Sequence, residues 1–363
     1  MLKVGLWFVR RTRLKSIFIN LQTNQMEPKI RVALNGFGRI GRQVFRLIWD
    51  NPEIEVVAIN DLAEAATMAH LLKYDSIHGL FPHTCRATEN QLWVNQTSVA
   101  YFSEKEIAFL PWKNLNIDVV IEATGKRHLR AELAEHLKAG AKKVILSAPS
   151  EDDSIKTIVI GVNDKLLDGS ETIVSNASCT TNNAAPMLAV IRDLCGIEQA
   201  YITTVHSYTT DQSLHDQPHK DLRRARSASQ SIVPTSTGAA KALTKIFPEF
   251  EGKIGGSGIR VPVPDGSLTD ITCYVLHAVC RDQINAAFAK AAQTSLQGIL
   301  SYTEDPIVSV DVIGNPHSCV FDAQLTSVLG KMVKIVGWYD NEIGYSSRLI
   351  DLIRLLYPKK NYI

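Results

Sequence analysis

Short apolar runs that end in small or polar residues, each followed by apolar positions at helical spacing, recur through the first half of the chain. Ile30-Arg31-Val32-Ala33-Leu34 reads as a strand, and Ile40, Val44, Leu47 and Ile48 then mark one face of a helix that stops at Asn51-Pro52. A second strand, Glu55 to Ile59, ends in Asn60-Asp61. Asp118 to Ile121 runs into Glu122-Ala123-Thr124-Gly125, and Lys143 to Leu146 runs into Ser147-Ala148-Pro149. Between them Leu129 to Ala139 has helical character and is closed by Gly140. Strand and helix alternate, which predicts a doubly wound parallel sheet.

The second half has another rhythm. Thr172-Ile173-Val174 is apolar, and Ala184, Met187, Leu188, Ile191 and Leu194 predict a helix face after it. Tyr201 to Val205 reads as a strand, whereas Gln212 to Pro234 has no periodicity. Pro234 to Ala240 opens a further helix, and Arg281 to Gln293 is a clear one. Strands are predicted over Asp270–Ala278, Val308–Val312 and Lys331–Tyr339, and a last helix over about Ser346 to Leu356. This half reads as an α+β domain: a mixed sheet with helices on one face.

Chemistry enters at the turns. Asn35-Gly36-Phe37-Gly38-Arg39-Ile40-Gly41 carries G-x-G-x-x-G between a strand and a helix, with an acid, Asp61, 20 residues after Gly41. In that context the motif is a Rossmann-type dinucleotide fingerprint. Gly36 serves the tight turn, Gly38 the approach to a pyrophosphate and Gly41 close helix packing, while the helix N-terminus offers N–H groups to phosphates. Asp61 can accept from ribose hydroxyls and repels a 2′-phosphate, so NAD is expected over NADP. Thr124, Gly125 and Ser147 lie at strand ends, where such sheets bind ligands.

Ser175-Asn176-Ala177-Ser178-Cys179-Thr180-Thr181-Asn182 places a cysteine at the predicted start of a helix, where free N–H groups favour a thiolate near neutral pH. His206, at the end of a strand, is a candidate base for it. Arg260 stands inside the apolar strand Ile259-Arg260-Val261 and calls for an anionic partner. The hydroxyl-rich opening Pro234-Thr235-Ser236-Thr237-Gly238 suits an anion as well.

Composition narrows the alternatives. Five of the 39 basic residues and none of the 37 acidic ones fall in residues 1–26, so the remaining body carries −3 and has no global attraction for nucleic acid or membrane. Residues 1–28 read as a basic extension outside the fold: an organelle presequence, a secretory signal with poor features, or a start placed ahead of Met26-Glu27-Pro28-Lys29. The last is favoured. The six cysteines contain no C-x-x-C pair, so neither a disulfide framework nor a zinc site is expected, and the compartment is reducing. In the aperiodic loop Lys220, Arg223, Arg224 and Arg226 interleave with Asp216 and Asp221 without aromatics suited to base stacking, which favours a subunit contact over RNA binding.

From about Lys29 to Leu356 the chain resembles the phosphorylating glyceraldehyde-3-phosphate dehydrogenase family. The resemblance rests on NGFGRIGR (Asn35–Arg42), SNASCTTN (Ser175–Asn182), HKDLRRAR (His219–Arg226), PTSTGAAK (Pro234–Lys241), DPIVSVDVIGNPHS (Asp305–Ser318) and WYDNEIGYSSR (Trp338–Arg348). It implies Cys179 as nucleophile and His206 as base. It further implies that Thr209, Asp211 and Arg260 hold the phosphate of glyceraldehyde 3-phosphate, and that Ser178, Thr180, Thr237 and Gly238 hold inorganic phosphate. Arg39, Ile40, Asp61, Ser147 and Asn341 match cofactor contacts, with Asn341 on the nicotinamide carboxamide and Tyr345 nearby. The implied organisation is an NAD-binding domain (29–178), a catalytic domain (179–341) and a C-terminal helix (342–363) returning to the first, in a cytoplasmic homotetramer. No metal is expected. Three positions depart from the family pattern: Asn183 replaces a common second cysteine, Ile343 a common aromatic, and Gln217 an apolar residue before Pro218. The last weakens the case for strict NAD preference, and Ile343 is expected to loosen packing near the nicotinamide. Alternatives are erythrose-4-phosphate dehydrogenase, or a catalytically silent NAD- or RNA-binding protein on the same fold.

Overall fold

The computed structural model describes residues 28–358, so the basic extension falls almost wholly outside the described residues. Two sheets organise these residues. The first has nine strands in the order Lys156–Thr157, Ile173–Ser175, Lys143–Leu146, Val119–Glu122, Ile30–Asn35, Ile54–Asn60, Thr97–Phe102, Gln91–Val94 and Cys85–Thr88. The first seven run parallel and the last two antiparallel. Helices α1 (Arg39–Ile48), α2 (Ala65–Lys73) and α3 (Arg130–Lys138) belong to this part. Strand order reverses at Ile30–Asn35, which pairs with Ile54–Asn60 on one side and Val119–Glu122 on the other. A ligand crevice opens at the carboxyl ends there.

The second sheet has eight strands. Seven lie in the order Val233–Thr235, Ile254–Val261, Ile197–Ser207, Ser267–Val275, Met332–Tyr339, Cys319–Asp322 and Leu300–Thr303, and Ser327–Leu329 pairs with Met332–Tyr339. Parallel and antiparallel pairs mix, as expected. Helices α4 (Cys179–Cys195), α5 (Ala239–Ile246) and α6 (Arg281–Gln293) share its core, in which Met187, Leu188, Leu243 and Phe288 are fully buried. The closing helix α7 (Ile343–Leu356) packs instead into the first core, where Leu349, Leu352 and Ile353 sit with Phe45 and Ile48 of α1.

Two sequence expectations change. Val308–Val312 is not a strand; Ser309–Val312 is a 3-10 turn. The alternating valines mimic strand periodicity, but Val308 and Val310 are exposed and only Val312 is buried. Asp311 caps the turn by accepting from the Val308 N–H at 2.8 Å. In α4, Leu194 is exposed and Cys195 takes the buried position one turn beyond Ile191. Among the described residues no helix is long and apolar enough to cross a membrane.

Candidate active site

The link between the two sheets is the strand end Ile173–Ser175 followed by α4, and it is tightly specified. Ser175 donates its hydroxyl to the Ala148 carbonyl at 2.6 Å and accepts from the Ala177 N–H at 3.1 Å. Ala177 has φ +55°, a left-handed conformation uncommon for a residue with a Cβ. Tyr345, from α7, donates to the Ala177 carbonyl at 3.1 Å. Ser178 is the N-cap, its hydroxyl accepting from the Thr181 N–H at 3.1 Å. Cys179 is therefore the first residue of a 17-residue helix, as the sequence implied.

His206 lies near the end of Ile197–Ser207 and pairs in register with Arg260 on the parallel neighbour. Its Nε2 is 3.4 Å from Cys179 Sγ, and its Nδ1 is 2.7 Å from the Ser207 carbonyl oxygen. Arg260 Nη1 also lies 2.9 Å from Nδ1; with the Nδ1 proton directed to the closer Ser207 carbonyl, the Nε2 lone pair faces the thiol. Arg260 donates to the same carbonyl at 2.9 Å. Burial, reinforced by the Arg260 charge, lowers the His206 pKa to about 3. Burial likewise pushes the Cys179 thiol up, against the Arg260 charge and the Thr180 N–H, which pull it down. Desolvation thus opposes the thiolate that the helix terminus and the Arg260 charge favour. Transfer of the proton within the pair creates both charges together at 3.4 Å, where their attraction offsets the burial that opposes either alone.

Two cavities meet at this pair. The larger, about 480 Å³, is lined by Arg39, Ile40, Ser147, Thr209, Asn341 and Tyr345 among others. The smaller, about 190 Å³, is lined by Ser178, Thr180, Arg224, Thr237, Gly238 and Arg260, with Cys179 and His206 common to both. Among the described residues Arg260 has no carboxylate within ion-pair distance, so its charge is directed to this cavity. Asp211 lines neither cavity; its carboxylate accepts from Thr209 and, at 2.9 Å, from Arg224, and so orients those two.

A third cavity, about 450 Å³, sits over the strand reversal and is lined by Gly36, Gly38, Asp61 and Thr124. Gly36 has φ +98°, and a Cβ there would lie 2.6 Å from the Ala123 carbonyl carbon. A Cβ on Gly41 would meet the Gly36 carbonyl oxygen at 2.2 Å, so the close approach is of helix to loop. Gly38 faces open space. Asp61 accepts from the N–H groups of Phe37 (2.7 Å) and Ala63 (3.0 Å), which hold its carboxylate at the rim. Arg39 spends its guanidinium on Glu342 (2.8 and 2.5 Å) and Asp75 (2.8 Å), so only its stem and main chain face the cavity. The Asn341 carbonyl oxygen accepts from Ser207 (2.9 Å) and Ser267 (2.7 Å), leaving its NH₂ for the cavity. An amide donor left over at one end and a fixed acid beside a bare glycine turn at the other fit a dinucleotide.

The structure gives roles to several side chains that the sequence left without one. Tyr339 hydrogen-bonds Thr180 and Thr204, each at 3.0 Å, and stands edge-on to His206 at 5.9 Å between ring centroids. Ser207 and Ser267 fix Asn341 across the sheet. Glu122 holds Asn35 (2.6 Å) and Thr124 (2.9 Å) beneath the third cavity, with His136 behind it at 3.1 Å. Asn183 gives its amide to the Ser318 and Trp338 carbonyls, each at 3.2 Å. Ile343 lines a separate cavity beside His78, not the one at Asn341.

The family model described as "Glyceraldehyde 3-phosphate dehydrogenase, NAD binding domain" matches residues 30–129, and that described as "Glyceraldehyde 3-phosphate dehydrogenase, C-terminal domain" matches residues 178–341. The chain is 52% identical over 326 residues to glyceraldehyde-3-phosphate dehydrogenase 2 of Streptomyces avermitilis, covering 89% of this chain and 97% of that protein. It is 48% identical over 332 residues to glyceraldehyde-3-phosphate dehydrogenase 1 of Bacillus subtilis and 49% identical over 332 residues to the Geobacillus stearothermophilus enzyme of that name. Each of these alignments covers 91% of this chain and 99% of the relative.

Proposed function

The chain belongs to the glyceraldehyde-3-phosphate dehydrogenase family, and we propose that it oxidises glyceraldehyde 3-phosphate to 1,3-bisphosphoglycerate with NAD and inorganic phosphate. The observation that carries this reading is the Cys179–His206 pair at 3.4 Å, standing where a cofactor cavity meets an anion cavity. Cys179 Sγ gives its proton to His206 Nε2 and adds to the aldehyde carbon, and the imidazolium returns that proton to the carbonyl oxygen, forming a hemithioacetal and freeing Nε2. His206 then takes the hydroxyl proton as the carbon is oxidised to a thioester. Gly36, Gly38, Arg39, Ile40, Gly41, Asp61, Ser147, Asn341 and Tyr345 would hold NAD, which when bound would supply the hydride acceptor. The N–H of Cys179 and the imidazole stabilise the developing oxyanion. Arg260 and Thr209 take the substrate phosphate, with Asp211 orienting Thr209. Ser178, Thr180, Thr237 and Gly238 take the inorganic phosphate that releases the acyl group.

On this reading the domains divide at 178/179, with α7 returning to the first. The basic loop, with Leu214, Leu222 and Ile232 exposed on it, is the contact surface of a cytoplasmic homotetramer; light scattering tests the mass. Wild type should form NADH from glyceraldehyde 3-phosphate, NAD and phosphate, and Cys179→Ser should not. Equal and negligible rates for both sink the enzyme reading and favour a silent binding protein. A higher kcat/KM for erythrose 4-phosphate without need of phosphate points to the four-carbon sugar instead. Initial rates with NADP measure what Gln217 costs in cofactor preference.

A further inference from the structure

Beside Asn341 lies a largely buried cluster of three carboxyls and a histidine, of which Glu342 also lines the cofactor cavity. Asp265, in the turn between two strands of the second sheet, is fully buried, and neither of its carboxylate oxygens has a hydrogen bond of good geometry, the Gly266 N–H reaching it only weakly. It faces Asp340, His78 (Nε2 at 3.5 Å) and Glu342. Behind these, Arg39 is bound to Glu342 and to Asp75. His78 Nε2 is 3.0 Å from Glu342, and its Nδ1 is 4.0 Å from Asp340.

Three carboxyls in one buried space need a positive species between them: a metal ion or a proton. His78, Asp265 and Asp340 do bring ligand atoms within 4.8 Å of one another. Yet Asp340 is already engaged, accepting from the N–H groups of Glu342 and Ile343 at 2.8 Å and of Gly314 at 2.7 Å. His78 Nε2 is turned to Glu342. A carboxylate with three backbone donors is the ionised member of a pair, and one with a single weak donor is the acid.

We propose that Asp265 is a positioning residue that keeps a proton and donates it to Asp340, fixing the Asp340-Asn341-Glu342 turn, so that cofactor binding weakens when this proton is lost in alkali. The geometry is specific. Asp340 anchors the turn at both ends, Asn341 projects from it towards the cofactor cavity, and Glu342 ties it to Arg39 at the start of α1. Loss of the proton sets two buried carboxylates against each other under the residue that is to hold the nicotinamide. Burial, with the charges of Asp340 and Glu342, pushes the Asp265 carboxyl up to about 9, the Gly266 N–H opposing.

The proposal rests on Asn341 facing the cofactor, so the readout must not need turnover. NAD affinity is measured by quenching of protein fluorescence between pH 7.5 and 10.5 in wild type, Asp265→Asn and Asp265→Leu, with His78→Gln as a control for the imidazole beside Asp265. The wild-type dissociation constant is expected to rise about tenfold per pH unit beyond the Asp265 transition. Asp265→Asn, which donates to Asp340 at every pH, should match wild type at pH 7.5 and stay flat. Asp265→Leu should bind weakly throughout. The same alkaline rise in Asp265→Asn overturns the proposal. So does an equivalent of divalent metal that wild type retains and Asp265→Asn lacks. NAD binding that responds in this way without NADH formation would sink the enzyme reading while leaving the proposal intact.

Discussion

At the scale of single residues, the site depends on hydrogen-bonding groups whose loss changes little volume. Tyr339→Phe removes the hydroxyl shared by Thr180 and Thr204 and leaves both without that partner in a buried space. Denaturant unfolding should show a loss of about 1–3 kcal/mol. His206→Asn removes the base, and turnover should fall about 10²–10⁴-fold in steady-state assays. The same variant tests a stability effect. Native His206 stays neutral down to about pH 3, whereas the unfolded chain takes up a proton below its ordinary value of 6.5. The native state therefore loses stability as pH falls through that window, and His206→Asn should lower the midpoint of acid unfolding. Cys179 and Asn341 were legible from local motifs and His206 from its place at a strand end. Ser207, Ser267 and Tyr339 were not, because they act on partners 74 to 159 residues away. The charge balance at Cys179 is only half legible for a related reason: the helix start is local, but burial comes from the whole fold.

Elements were legible where one period ran unbroken. The spacing from Ile40 to Ile48 marked α1, and Arg281–Gln293 was found with both ends correct. The predicted strand at Val308–Val312 failed because exposure, which the sequence does not display, decides whether alternating valines form a strand. Helix α2 and the antiparallel strands Cys85–Thr88 and Gln91–Val94 carry mixed polar and apolar residues without clean periodicity. The turn into α1 is the most constrained junction on the cofactor side. Gly36→Ala adds a Cβ at φ +98° and 2.6 Å from the Ala123 backbone. A left-handed conformation alone costs about 1–2 kcal/mol, and the clash adds to it. Calorimetry should show a lowered Tm, and NAD titration should show affinity lost out of proportion to stability.

For the whole molecule, the decisive feature is that α7 completes the first core from the far end of the chain. Leu349 is fully buried there, and Leu349→Ala should destabilise by about 2–5 kcal/mol in denaturant unfolding. A fragment of residues 29–178 lacks that face and should show broad, non-cooperative melting by circular dichroism. The two-part division was readable from the change of rhythm near residue 178, but not the depth to which α7 enters, since a helix's partner is not written in its own spacing.

That late arrival has a consequence on the ribosome. About 290 residues separate the end of α1 from the start of α7, an interval of roughly 15 to 60 s at about 5–20 residues per second. Throughout it the first core keeps an uncovered apolar flank, and the hydroxyl of Tyr345 has yet to reach Ala177. The nascent chain thus carries its thiol through synthesis before its support is in place, and a stop codon ahead of Leu349 would leave the part made first without its cover.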